Sequence, residues 1–311
     1  MDWNSCIIGY KSYLLLEKGL SAHTIEGYLS DVHKLHQYVE SFEDNTSPGL
    51  LIKSNLTGFL KYLYELGLSA RTQARIISGI KSFYTYLLLE NLVDQNVAKL
   101  LDNPTLSRKI PEVLTIEEVN DFLAAIDLSH PQGQRNRAMF EILYACGLRV
   151  TELIELKLSN LYFDIGVIKV LGKNNKERLV PIGNEAIKHT NTYLETERIP
   201  HAKPAKGHEN IVFLNRRGRQ LTRNMVFMLC QQYSKSAGIT KRVSPHTFRH
   251  TFATHLVEGG ADLRAVQDML GHVSITTTEI YTHLDARFLR ETIDMYHPRG
   301  RVNLIKKKNN D

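Results

Sequence analysis

Long apolar runs are missing from this 311-residue chain, and none approaches the roughly 18–20 residues that a bilayer-crossing helix needs. The first residues, Met1-Asp2-Trp3-Asn4, lack the basic-then-apolar pattern of a secretory signal, so the expected compartment is the cytoplasm. Cysteine is scarce. Cys6, Cys146 and Cys230 are odd in number and show no CxxC spacing, which argues against a disulfide framework and a zinc knuckle. Cys146 lies in an apolar helical run and reads as small core filler. Proline and glycine are sparse, at 9 and 19 residues, and neither repeats nor low-complexity blocks occur. Fibrous and disordered classes are thereby excluded, leaving a soluble globular chain long enough for two domains.

What is present is unevenly charged. The net charge is +6, but through Asp102 nine Lys/Arg stand against eleven Asp/Glu, and beyond it thirty stand against twenty-two. The later, basic part suits a polyanionic partner, because Lys and Arg neutralise phosphates and release counterions; a solvated basic surface reads the same way.

Residues 1–102 read as helical throughout. Ile25, Leu29, Val32, Leu35 and Val39 recur at helical spacing after Ser21, a candidate N-cap, and Ser54–Leu66 and Ser69–Glu90 give two more amphipathic stretches. In the last, Ile76, Ile80, Phe83, Tyr84 and Leu87 share one face while Arg71, Arg75, Ser78 and Ser82 line the other. Arg71, Arg75 and Ser78 are the candidate nucleic-acid contacts here, with an ordinary solvent face as the alternative. Residues 103–111 lack periodicity, hold two prolines and read as a linker. In 112–311, Thr115-Ile116-Glu117-Glu118 is a capping box, and a helix from about Arg135 to Cys146 ends at Gly147. Val167–Val170 and Leu179-Val180 flank a polar turn and predict a β-hairpin; the rest is mostly helical, with a lysine-rich tail. The expected fold class is mainly α with a small β-hairpin or sheet, in two domains.

Ser244-Pro245-His246-Thr247-Phe248-Arg249-His250 is a helix start, with Ser244 as N-cap and Pro245 at N1. His246 and Arg249 then share a face in the first turn, where amide N–H groups and the helix dipole favour an anion. A zinc reading of His246 and His250 fails because no Glu sits at the second position and Arg249 repels a cation. A nucleotide-binding reading of Gly166–Lys173 also fails. Five residues separate the glycines where four are needed, and Asn174 follows the lysine. Gly147-Leu148-Arg149 places an arginine at a helix end, free to reach into a cleft. Leu270-Gly271-His272 and Tyr281-Thr282-His283 follow downstream. Singly, each is explained as a core histidine, a half-buried tyrosine or a surface arginine.

Together, Gly147–Leu153, Gly172–Arg178, His246–His255, Leu270–His272 and Tyr281–His283 resemble, in wording and order, the tyrosine recombinase (phage integrase) family, nearest to its Xer-type members; Tyr296-His297-Pro298-Arg299 extends the likeness. The resemblance implies an N-terminal SAM-like core-binding bundle and a DNA breaking-rejoining catalytic domain, closing as a C-shaped clamp on double-stranded DNA. It also implies a catalytic set of Arg149, Lys173, His246, Arg249, His272 and Tyr281, with Tyr281 as nucleophile forming a 3′-phosphotyrosyl bond, and no metal or other cofactor. His246 would act as base and Lys173 as acid for the departing 5′ oxygen. Arg149, Arg249 and His272 would grip the phosphate, with Glu152 orienting a neighbour or serving only as helix-start charge. Asn174, where Xer members often carry glycine, and Thr151, for the commoner serine, depart from the pattern. The implied setting is chromosome dimer resolution at a dif-like site by a homo- or hetero-tetramer on two sites. A second Xer recombinase, a septal DNA translocase and docking of the segment from Asp285 into a neighbour are further expectations. No additional arm-binding domain is expected. Rival readings are a mobile-element integrase, a type IB topoisomerase, a DNA-binding regulator that no longer cuts, and a zinc nuclease.

Overall fold

The computed structural model describes residues 1–42, 46–105, 112–172, 177–199, 203–271 and 283–300, the side chains of 283–288 apart. The chain divides into two units, Met1–Lys109 and Ile110–Asp311.

The first unit is built from α1 (Trp3–Leu16), α2 (Ala22–Phe42), α3 (Lys53–Glu65) and α4 (Ala70–Leu89). Short polar side chains start them. Asp2 accepts from the amides of Asn4 and Ser5, Ser21 from Thr24 and Ser69 from Thr72, while the Asn55 side chain accepts from the Ile52 amide. The apolar face expected on α4 is fully buried, and Tyr10, Leu35 and Phe59 join it in one core. Leu29 of the α2 stripe is only partly covered.

The second unit is α5 (Ile116–Ala124), α6 (Gly133–Cys146), α7 (Val150–Ile154), β1 (Leu161–Tyr162), β2 (Val167–Leu171), β3 (Glu177–Pro181), α8 (Asn184–Tyr193), α9 (Arg223–Ser236), α10 (Pro245–Gly259), α11 (Leu263–Leu270) and α12 (His283–Tyr296). The Thr115/Glu118 capping box forms as read. The hairpin is an antiparallel pair in register from Val167↔Pro181 to Leu171↔Glu177, and β1 adds an outer antiparallel strand. At two residues, β1 is too short for the alternation that reveals a strand in sequence.

Helix α6 runs through the middle of the unit with almost every residue buried, Cys146 among them. Burial pushes the Cys146 thiol well above its ordinary range, consistent with a packing role. Helix α10 is a seam: Phe248 belongs to the main core, whereas Phe252 and Leu256 belong to a second cluster with Met269, Leu270, Leu289 and Ile293. A helix packed on both sides is a firm base for side chains at its start. No helix among the described residues is long and apolar enough to cross a membrane.

Candidate active site

Two glycines shape the site. Gly147 ends α6 at φ 58°, a left-handed conformation that a side chain resists, and a Cβ there would lie 2.4 Å from the Phe252 ring. The chain therefore turns sharply, buries Leu148 and delivers Arg149 as the N-cap of α7. Gly271 ends α11 in the same way at φ 65°, with the Arg178 guanidinium 3.1 Å from where its Cβ would be.

Three guanidiniums converge on the C-terminal end of α11. Arg178 Nε donates to the Met269 carbonyl at 3.0 Å, Arg249 Nη2 to Leu270, and Arg149 Nη2 to Gly271 at 3.4 Å. The last carbonyls of a helix lack intrahelical donors and carry the negative end of the dipole, so cations both satisfy and stabilise them. Arg249 is anchored a second time, through Nη1 to the Gly147 carbonyl at 2.7 Å. Each arginine is thus fixed by backbone whose own conformation the glycines set.

Glu152 is the carboxylate among them. Its oxygens accept from the Arg149 amide at 2.8 Å, from Arg149 Nη1 at 2.9 Å, and from Arg178 Nη1 and Nη2 at 2.8 and 2.9 Å. Both roles considered for Glu152 are realised at once: it caps the start of α7 and it orients arginines. Burial pushes its carboxyl up, but Arg178 and then Arg149 carry it below the ordinary value. Arg149 is consequently not free, as its place at a helix end suggested. A partly desolvated guanidinium takes the carboxylate three residues on, and its side chain remains 36% exposed.

Arg249 is buried, and that burial, followed by repulsion from Arg149, lowers its guanidinium to about 10. It still carries a full charge at neutral pH. His246 stands exposed at the start of α10, where Ser244 accepts from the Thr247 amide and Pro245 occupies N1, as read. Partial desolvation, then His250, Arg249 and Arg149, hold its imidazole below the ordinary value. A neutral imidazole beside under-compensated guanidiniums can take a proton from a nucleophile while the arginines bind an anion.

Arg149, Arg249 and His246 are therefore brought together. Lys173, His272 and Tyr281 lie outside the described residues; Gly172 after β2 and Gly271 with its arginine-bound carbonyl directly precede the first two, and the described residues resume two positions after Tyr281, at His283, the start of α12. Arg178 was missed by sequence reading. Strand alternation carries its signal, since Arg178 shares a face with the buried Val180. In the first unit, Arg71, Arg75 and Ser78 are exposed on α4 as read, but Arg75 Nη1 is paired with Asp31 Oδ2 at 2.6 Å. Among the described residues no group of three or more His, Cys, Asp or Glu is placed to hold a metal ion.

Comparison with known proteins adds a family. The model for the phage integrase family matches residues 112–287, and that for the phage integrase N-terminal SAM-like domain matches residues 7–91. A tyrosine recombinase XerD of Chlorobaculum tepidum is 44% identical over 301 residues, 96% of this chain and 98% of that protein. A tyrosine recombinase XerD of Listeria innocua is 40% identical over 297 residues, 96% of this chain and 100% of that protein. Among solved structures, the XerH site-specific recombinase bound to palindromic difH substrate, in a post-cleavage complex, is similar at a TM-score of 0.68 and 26% identity. The match covers 89% of this chain and 81% of that one. With a family match over more than half its length and relatives alike from end to end, the chain belongs to the phage integrase family as a tyrosine recombinase of the Xer type.

Proposed function

We propose that this recombinase cleaves and rejoins double-stranded DNA through Tyr281, by way of a 3′-phosphotyrosyl intermediate, and that it resolves chromosome dimers at a dif-like site. The observation that carries the chemistry is the pair Arg149 and Arg249, tied to the carbonyls of Gly271 and Leu270, the two residues that precede His272, with Arg149 sharing Glu152 with Arg178. Three cations against one carboxylate leave positive charge for a phosphate. The XerD relatives, matched along their whole length, favour the housekeeping reading over mobile-element integration.

In this reading the Tyr281 oxygen attacks the scissile phosphorus, forming the tyrosyl bond and releasing a 5′-hydroxyl. A free tyrosine, with a pKa of about 10, is ionised in roughly one molecule per thousand near pH 7, so His246 takes the proton during attack. Lys173 protonates the departing 5′ oxygen. Arg149, Arg249 and His272 stabilise the charge gathering on the non-bridging oxygens. Bond energy is kept in the phosphotyrosyl link, so rejoining needs no nucleotide. Protomers assemble as a tetramer on two sites, with a second Xer recombinase or a DNA translocase setting the order of cleavage.

The test is a nicked duplex that traps the covalent intermediate. Tyr281→Phe is expected to bind the duplex as wild type does and to form no covalent adduct, with wild-type adduct unaffected by a metal chelator. An adduct persisting in Tyr281→Phe moves the nucleophile elsewhere, and loss on chelation overturns the metal-free mechanism.

A further inference from the structure

A carboxylate is buried where a helical bundle gains little from one. Asp31 of α2 has no solvent exposure and faces α4 at Gly79, where even a Cβ would come within 2.8 Å of its Oδ2. Oδ2 accepts from Arg75 Nη1, whereas the buried Oδ1 has no hydrogen-bond partner. Burial raises the Asp31 carboxyl and the Arg75 contact opposes it. A buried pair of this kind adds little over an apolar filling, because desolvating the ions cancels most of their attraction. Stability does not account for it.

Its geometric consequence does. The Arg75 side chain remains 49% exposed although its guanidinium is tethered from below. Nη1 is held by Asp31 Oδ2, and Nε and Nη2 have no hydrogen-bond partner among the described residues. Exposed Arg71 and Ser78 lie one turn to either side, and the Ser78 hydroxyl donates to the Ala74 carbonyl, which leaves its oxygen able to accept. A flexible arginine suffices to neutralise a phosphate. A guanidinium already held at one nitrogen suits a base edge, where two donors must meet guanine O6 and N7 together and less rotamer entropy remains to be lost.

Resting on the DNA-binding reading above, we propose that Asp31 is a positioning residue for sequence recognition: it fixes Arg75 so that α4 reads one guanine in the major groove. Asp31 does not touch DNA. It acts through Arg75, and it sets specificity at a single base pair.

The experiment selects duplexes with a randomised central segment on the full-length wild type, Asp31→Asn, Arg75→Gln and the double variant, each held at a temperature where circular dichroism shows it folded. Wild type is expected to enrich a motif containing the guanine. Asp31→Asn and Arg75→Gln are each expected to lose that one preference and keep the others. Affinity for the motif should fall by about 5- to 150-fold, the worth of one bidentate base contact. In the Arg75→Gln background, Asp31→Asn should change nothing further. Retention of the guanine by Asp31→Asn, additive losses in the double variant, or a uniform loss at all positions with a shallower salt dependence would each overturn the proposal. If wild type enriches no motif at all, site-specific recognition itself fails, and that result is distinct from the others.

Discussion

At the residue scale the site is governed by a shortage of negative charge. Arg149 and Arg178 share the carboxylate of Glu152, while Arg249 is anchored by backbone carbonyls alone, so three guanidiniums gather around one carboxylate. Arg249→Lys keeps a charge but cannot hold Gly147 and Leu270 while presenting a planar face to phosphate. Single-turnover cleavage should fall by about 10²–10³, as when one oxyanion donor is removed, with DNA binding retained. Glu152→Gln should cost about 3–5 kcal/mol in urea unfolding at neutral pH, because two desolvated guanidiniums lose their counter-charge. The folded-state value of Glu152 lies below its ordinary 4.5. Its contribution is therefore complete above that value and is lost as pH falls through the folded one, so wild type and Glu152→Gln should converge in acid. For cleavage the sign is set by His246, which must be neutral to accept a proton. Its value is held below 6.5, so the rate should stay level from neutral pH to below 6.5 before it drops. A decline already complete at 6.5 would contradict His246 as the base.

At the element scale, glycine-ended helices do the positioning. Gly147→Ala combines left-handed strain with a 2.4 Å approach to Phe252, and thermal unfolding should show one of the larger losses for a single methyl group. Gly271→Ala presses on the Arg178 guanidinium, so cleavage should suffer more than melting temperature. Helix starts at Ser21, Thr115 and Ser244, and the end at Gly147, were readable because caps are local chemistry. The buried face of α4 was readable from its period. Arg249 finding Gly147, 102 residues away, was not, since only packing decides which distant carbonyl meets a guanidinium. Asp31 and Arg178 were passed over for the same reason: a charge inside an apolar pattern shows its purpose only once its partner is placed.

At the scale of the whole molecule, charge and family similarity lead to one conclusion. The segment beyond Asp102 carries the excess of Lys and Arg, whereas the helical segment before it is slightly acidic and offers a local polar stripe. Full-length protein on its duplex should show steep salt dependence. Neutralising roughly six to ten phosphates costs about 10³–10⁵ in affinity between about 50 and 200 mM salt, and a change of only about twofold would remove the electrostatic basis of binding. The family assignment rests on similarity along the chain and the arginine socket on hydrogen bonds; that Tyr281 is the nucleophile the socket serves is the proposal to be tested. The most direct measurement is peptide mapping of the covalent protein–DNA adduct formed by wild-type protein. The account predicts a DNA 3′-phosphate carried on Tyr281 and a free 5′-hydroxyl on the released strand. Attachment through a 5′-phosphate, or to any other residue, would contradict it.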